Sequence, residues 1–163
     1  MPDPSLLILI PAFNEEARIE PVLRDYARYF QEHYHGKFQI VVILNGCTDN
    51  TLGVVQMVAA EFPAVRADEF KQPIGKGGAL IEGLKLAPQG DLIGYVDADG
   101  ATPPKSLLDL TRRIGDAQVG MDFFDDLASH HLRAALRVVD VHPKQQLHNQ
   151  MKCAAGKLPV AGL

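Results

Sequence analysis

Apolar residues gather into short runs over the first two thirds of the chain. Between the runs lie longer stretches in which they recur every three or four positions. "LLILI" (Leu6 to Ile10) and "FQIVVIL" (Phe38 to Leu44) are near-continuous, "DLIGYV" (Asp91 to Val96) resembles them, and "AVRADEF" (Ala64 to Phe70) is weaker. Continuous rather than alternating runs predict strands buried on both faces, as in a parallel sheet. The intervening segments predict helices. "EPVLRDYARYFQEHY" puts Val22, Leu23, Tyr26, Ala27 and Phe30 on one face, with Pro21 tolerable in its first turn. "TDNTLGVVQMVAAEF" offers Thr48, Asp49 or Asn50 as a cap and then Leu52, Val55, Val58 and Ala59. "GKGGALIEGLKLA" offers Leu80, Ile81 and Leu84. "TPPKSLLDLTRRIG" reads as a helix capped by Thr102, with Pro103 at its first position and Gly115 as its stop.

Strand and helix thus alternate from Leu6 to Gly115, which predicts an α/β domain with a mostly parallel sheet, helices flanking it and right-handed crossovers. Ligands of such sheets bind beyond the carboxyl ends of the strands. Three polar segments fall there: "PAFNEE" after the first strand, "NGCTDNT" after the second and "DADGAT" after the fourth. After Gly120 the pattern changes. Asp122 to Val139 fits an amphipathic helix carrying Phe123, Leu127, Ala134 and Val138, ended by His142-Pro143, and the last twenty residues show weak periodicity. The organisation expected is a first unit over residues 1–120 and a helical tail over 121–163.

At 163 residues the chain is long enough for one domain with a true core. Its composition, 47% hydrophobic and 22% charged, is that of a globular protein rather than a disordered one. A net charge of −4 gives no electrostatic reason to expect nucleic acid as a partner. Two cysteines, Cys47 and Cys153, do not make a disulfide framework, so a reducing, cytoplasmic setting is expected. The opening residues lack the basic region of a signal peptide, and no stretch approaches the roughly 20 apolar residues of a membrane span. Any membrane contact is expected to be peripheral, at the inner face.

The candidate chemistry lies in the loops. In "DADG", Asp97 and Asp99 stand one residue apart where a strand ends. On an extended strand they would point to opposite faces, but a turn lets both approach one hard cation. Mg²⁺ or Mn²⁺ fits two carboxylates, with phosphate and water completing its shell. The same residues also fit a solvated acidic turn ahead of the next helix. Asn14 and Glu15 could meet a ligand or cap a helix. Asn45-Gly46 is a turn signal whose Asn45 could also reach a base edge. Cys47 has no neighbouring histidine and reads as a packing residue. "PIGKGGAL" could bring backbone and Lys76 to a phosphate or simply begin a helix; it is not a Walker A loop. The histidines His33, His35, His130, His131, His142 and His148 show no zinc spacing.

Taken in order, "PAFNEE", "VVILNGCTDNT", "GKGGALIEGL" and "VDADGATPP" resemble the successive nucleotide-sugar segments of family-2 glycosyltransferases of the GT-A fold. The resemblance is strongest to dolichyl- and polyprenyl-phosphate sugar transferases and covers Leu6 to Gly120. It implies a Rossmann-like nucleotide-diphospho-sugar transferase fold, incomplete on the acceptor side. Pro11, Ala12, Phe13 and Glu15 would line the nucleoside pocket, with Asn14 shaping the loop. Asn45 would face the base, and Lys76 and Gly77 would lie near ribose or phosphate. Asp97, Ala98 and Asp99 would complete the nucleotide-sugar site, with Asp97 and Asp99 the metal ligands. The implied activity is metal-dependent inverting transfer from a UDP- or GDP-linked sugar to a polyprenyl phosphate or a growing glycan.

Two departures qualify this. The family more often carries two acidic residues where this chain has Leu44-Asn45, which leaves base preference open. The family's downstream base and basic acceptor residues have no match after Gly120, where Asp125 and Asp126 are the candidates for a base. Two further readings follow: a truncated, inactive nucleotide-sugar-binding relative, and an interaction module whose tail helix dimerises or docks. An unmatched sheet edge would also suit a homo-oligomer.

Overall fold

The computed structural model describes residues 3–85, 91–115 and 137–140. In chain order the elements are β1 (Leu6–Ala12), α1 (Ile19–His33), β2 (Phe38–Asn45), α2 (Thr51–Glu61), β3 (Val65–Phe70), α3 (Gly75–Lys85), β4 (Leu92–Tyr95), α4 (Pro104–Gly115) and β5 (Arg137–Asp140). The five strands form one sheet in the order β3-β2-β1-β4-β5, with every neighbouring pair parallel. β1 is central: Leu6 pairs with Phe38 on one side and with Leu92 on the other.

The continuous apolar runs have the cause expected of them, because both faces of the sheet are covered. Leu6, Ile8 and Ile10 of β1 and Ile40, Val42 and Leu44 of β2 face α1, α2 and α4, meeting Leu23, Tyr26, Phe30, Val55, Val58 and Leu107. The alternate residues Leu7, Leu9, Val41 and Ile43 face α3 through Ala79 and Leu84. The chain steps outward from β1 to β3 with its helices on one face. It then crosses back to β4 with α3 on the other, as right-handed crossovers require. The order of the strands therefore reverses between β1 and β4, and a crevice opens at their carboxyl ends.

Several local expectations change. β1 and β2 run further than the apolar pattern, to Ala12 and Asn45, because a parallel ladder continues through Ala12 opposite Leu44. α4 begins at Pro104, so Pro103 is not its first helical residue. Thr102 does not serve as the expected cap: it is buried, and its carbonyl accepts the Tyr26 hydroxyl at 2.8 Å. Asn50 precedes α2 without a side-chain capping bond. The Asp49 carboxylate instead accepts the Thr51 N–H at 3.1 Å. The helix expected over Asp122 to Val139 is corrected at its end, where Arg137–Asp140 form a strand beside β4, with Ile93 opposite Val138. Two adjacent β-branched valines suit a sheet better than a helix face. The remainder of that expected helix, and Asp125 and Asp126 with it, lies outside the described residues. Among the described residues no helix is long and apolar enough to cross a membrane.

Candidate functional site

The three polar loops and the start of α3 meet at the carboxyl ends of β1, β2 and β4. They enclose a cleft of about 300 Å³ lined by Pro11, Ala12, Phe13, Glu15, Arg18, Asn45, Lys76, Asp97, Ala98 and Asp99. Nine of these ten are residues that the sequence assigned to one site. Asn14 and Gly77 are not on the wall, and Arg18 is on it unforeseen. The spacing of Arg18 from Glu15 signals an ion pair but not a place in the cleft: the guanidinium donates from Nε to Oε2 at 2.9 Å and from Nη2 to Oε1 at 3.0 Å.

Asn14 acts from behind the wall. Its backbone is left-handed, with φ 52°, a conformation that Asn tolerates better than most residues. Its Oδ1 accepts the Thr48 N–H at 2.8 Å, and its Nδ2 donates to the Thr48 hydroxyl at 3.1 Å. The neighbouring N–H groups of Glu15 and Glu16 donate to the Thr51 hydroxyl and the Asp49 carboxylate at 2.9 and 3.1 Å. The Asn50 N–H returns a bond to Glu16 at 3.0 Å. These bonds fasten the β1–α1 loop to the β2–α2 loop and hold Phe13 and Glu15 at the cleft. Phe13 leaves 55% of its surface exposed there, unusual for a large apolar residue. Cys47 is partly buried, with its thiol against the Ala12 carbonyl at 3.4 Å, consistent with packing.

Asn45 is the last residue of β2 and 8% exposed. Its Oδ1 accepts the Ile74 N–H at 2.7 Å, which ties the β3–α3 loop over the end of β2. Lys76, one residue into α3, reaches across to β4: its Nζ lies 2.6 Å from Asp97 Oδ1 and 5.6 Å from the Tyr95 ring centroid. The Tyr95 hydroxyl donates to the same carboxylate oxygen at 3.0 Å. The bond to Asp97 raises the ammonium's pKa above the usual lysine range, so Lys76 is charged throughout the physiological range. Burial raises the Tyr95 pKa, and the facing Asp97 charge adds to it.

Asp97 and Asp99 follow the strand rather than belong to it, which is why both reach one cleft. The Asp99 Oδ1 accepts the Ala101 N–H at 2.9 Å, and Gly100 turns the chain with φ 75°. Among the described residues no group of three or more His, Cys, Asp or Glu forms a metal cage. A cation held here would take its oxygen ligands from Asp97 and Asp99 and draw the rest from a ligand and water. The charge balance also suits a cation: three carboxylates (Glu15, Asp97, Asp99) face two basic side chains (Arg18, Lys76) across the lining. A second cleft of about 500 Å³ between the starts of α1 and α4 shares Arg18 and Asp99 with the first and adds Asp25, Pro21 and Pro103.

Comparison with known proteins bears on this arrangement. A dolichyl-phosphate beta-glucosyltransferase of Trichomonas vaginalis is 34% identical over 110 residues, 65% of this chain and 32% of that protein. The Saccharomyces cerevisiae dolichyl-phosphate beta-glucosyltransferase is 34% identical over 102 residues, 60% of this chain and 30% of that one. The chain spans about a third of the length of these curated relatives. Among solved structures, the Pyrobaculum calidifontis mannosyltransferase PcManGT, in complex with GDP-Man and Mn²⁺, superposes with a TM-score of 0.62 at 28% identity. The match covers 74% of this chain and 36% of that one. The family model for glycosyl transferase family 2 matches residues 7–124, a span that holds every segment lining the cleft, and the chain belongs to that family.

Proposed function

We propose that the chain is the nucleotide-sugar-binding part of a metal-dependent, inverting glycosyltransferase, with a UDP- or GDP-linked sugar as donor and a polyprenyl phosphate as acceptor. The observation that carries this reading is the single cleft in which an exposed aromatic ring, a buried amide, a lysine and two carboxylates converge from the ends of β1, β2 and β4 and from the start of α3. The phosphate-linked lipid acceptors in the names of the relatives, and the GDP-Man and Mn²⁺ of PcManGT, support the donor, cation and acceptor classes.

The cleft has two ends of different chemistry. Phe13, Pro11 and Ala12 offer an apolar wall for a nucleoside, next to the Asn45 amide. Lys76, Asp97 and Asp99 form the charged end, where the diphosphate would lie, with Gly77 close by on α3. A divalent cation, Mg²⁺ or Mn²⁺, held by Asp97 and Asp99 would neutralise charge on the diphosphate leaving group. The Lys76 ammonium would offset that charge as well, exchanging its bond to Asp97 for one to phosphate. Direct displacement at the anomeric carbon inverts its configuration. A lipid phosphate is already an anion and needs no base; a hydroxyl acceptor would need one, for which Asp125 and Asp126 remain the candidates. The soluble face of such an enzyme would work at the inner side of a membrane.

Titration calorimetry of the full chain with UDP- and GDP-sugars, with and without Mn²⁺, tests this reading. Binding that requires Mn²⁺ and is lost in Asp99→Ala is expected. Undiminished binding in EDTA, or no binding to any nucleotide sugar, would refute it. Transfer to a polyprenyl phosphate, followed by product analysis for inversion, tests the catalytic half.

A further inference from the structure

β3 ends the sheet, and its main chain is paired on one side only. The Ala64 carbonyl accepts the Ile40 N–H at 2.8 Å, and the Phe70 carbonyl accepts the Gly46 N–H at 2.7 Å. Along a strand, successive residues turn their N–H and C=O groups to opposite sides. Arg66 and Asp68 therefore turn theirs toward β2, opposite Val41 and Ile43. The Val65 carbonyl and both main-chain groups of Ala67 and Glu69 face away from the sheet. Among the described residues nothing bonds to them. An open row of this kind is a template for one more strand.

The side chains narrow which strand fits. Val65 and Ala67 pack into the cluster beneath α1 and α2. Arg66 and Asp68 project on the opposite face, with Phe70 and α3. α3 packs chiefly on β1 and β2, and both charged residues are half-buried. Among the described residues neither has an ion-pair partner. A second copy that meets this edge about a two-fold axis runs antiparallel to it. Open main-chain groups must then face open ones, so Val65, Ala67 and Glu69 can only oppose one another. With Ala67 opposite its own counterpart, Arg66 stands opposite Asp68 of the second copy on either side of the axis. These are the close pairs that lack main-chain bonds, where side chains interact most. A slip that sets Val65 opposite Ala67 brings Arg66 onto Arg66, and the reverse slip brings Asp68 onto Asp68. Like charges directly opposite are destabilising, so both slips are selected against. Charge on an edge commonly blunts it; this order of signs instead favours one register with a copy of itself.

We propose that β3 is a self-association edge, at which two copies of this chain pair antiparallel about a two-fold axis through Ala67, with Arg66–Asp68 ion pairs on either side of that axis. Ala67 exchanges main-chain bonds with its counterpart, and each Glu69 N–H donates to the Val65 carbonyl of the other copy. Both copies use the same edge, so the pairing closes as a dimer and does not propagate. The antiparallel arrangement sends the carboxyl ends of the two sheets, and the two clefts with them, to opposite ends. Both sites stay open, and the dimer stands independently of the nucleotide-sugar reading.

The experiment reverses the charges singly and then together. A contact made by one strand of 6 residues is small for an interface. Sedimentation velocity of the full chain over about a hundredfold range of concentration should therefore show a monomer–dimer equilibrium. Arg66→Asp alone, or Asp68→Arg alone, sets like charges opposite on both sides of the axis and should weaken the dimer at least about tenfold. The double variant exchanges the two signs and should return to within about threefold of the wild type. A second arm needs no variant: hydrogen exchange in the peptide that spans β3 should slow as wild-type concentration rises. A wild type that stays monomeric, or that assembles without limit, overturns the proposal. A dimer indifferent to the single reversals, or one that the double reversal fails to restore, places the contact elsewhere and overturns it as well. Should a variant melt well below the wild type, the exchange arm decides alone, and exchange at β3 that ignores concentration overturns the proposal.

Discussion

Two glycines of α3 make opposite demands, and the same substitution at each should shift stability in opposite directions. Among the described residues, a Cβ added at Gly77 meets nothing within 4 Å. The backbone there is helical, so Gly77→Ala exchanges a poor helix former for the best one with no steric penalty. The gain is about 0.5–1 kcal/mol, in part because the unfolded chain loses freedom. For a chain of 163 residues that is a rise of about 1–4 °C in Tm. At Gly83 the added Cβ would stand 2.4 Å from Ile43 Cδ1 and 2.9 Å from Leu9 Cδ1. Both side chains are fully buried at the centre of the sheet. Overpacking of this kind costs about 1–3 kcal/mol, which outweighs the same propensity gain, so Gly83→Ala should lower Tm. Thermal denaturation of the two variants, followed by circular dichroism, checks the pair. Shifts of the same sign would refute the packing argument. The contrast also bears on function. No neighbour among the described residues asks for glycine at position 77, and a phosphate approaching the backbone would. Gly77→Ala should therefore bind nucleotide several-fold more weakly while being the more stable protein, and unchanged affinity would remove Gly77 from the ligand site.

Asn14→Ala should be less stable than Asn14→Gly, because both lose the bonds to Thr48 but only alanine opposes the left-handed backbone. The difference is about 1 kcal/mol by denaturant unfolding, and both variants should bind nucleotide more weakly through a loosened Phe13 and Glu15. At alkaline pH, burial pushes the Tyr34 hydroxyl up to about 12, with Asp3 and Asp91 adding to it, and burial raises Tyr26 further still. An unfolded tyrosine ionises near 10. The folded form's advantage is thus complete below about pH 10 and is lost as pH rises through about 12. Denaturant midpoints from pH 9 to 12 should fall, and fall less in Tyr34→Phe; a flat profile would contradict this.

The site was legible because its residues flank strands whose apolar runs are unmistakable. Pro11 to Glu15, Asn45 and Asp97 to Asp99 each follow such a run, and a parallel sheet brings the ends of its strands to one edge. Arg18 escaped notice because nothing local separates a cleft arginine from a surface pair to Glu15. The strand at Arg137–Asp140 was misread because four residues carry too little periodicity to outvote a longer helical pattern, and only pairing with β4 decides them.

Hydrophobic spacing alone therefore determined an alternating α/β chain, a sheet buried on both faces and the edge at which a ligand would lie, since these follow from where apolar surface must be hidden. Which groups face that ligand was decided by tertiary contact. Lys76 meets Asp97 only because α3 lies on the opposite face of the sheet from the other helices, against β1 and β2, and its start lies by the carboxyl ends of the strands, where the long lysine side chain reaches Asp97. Asn45 presents a donor rather than an acceptor only because Ile74, 29 residues along the chain, holds its oxygen. An amide's polarity is symmetric in sequence, and a single long-range hydrogen bond breaks that symmetry.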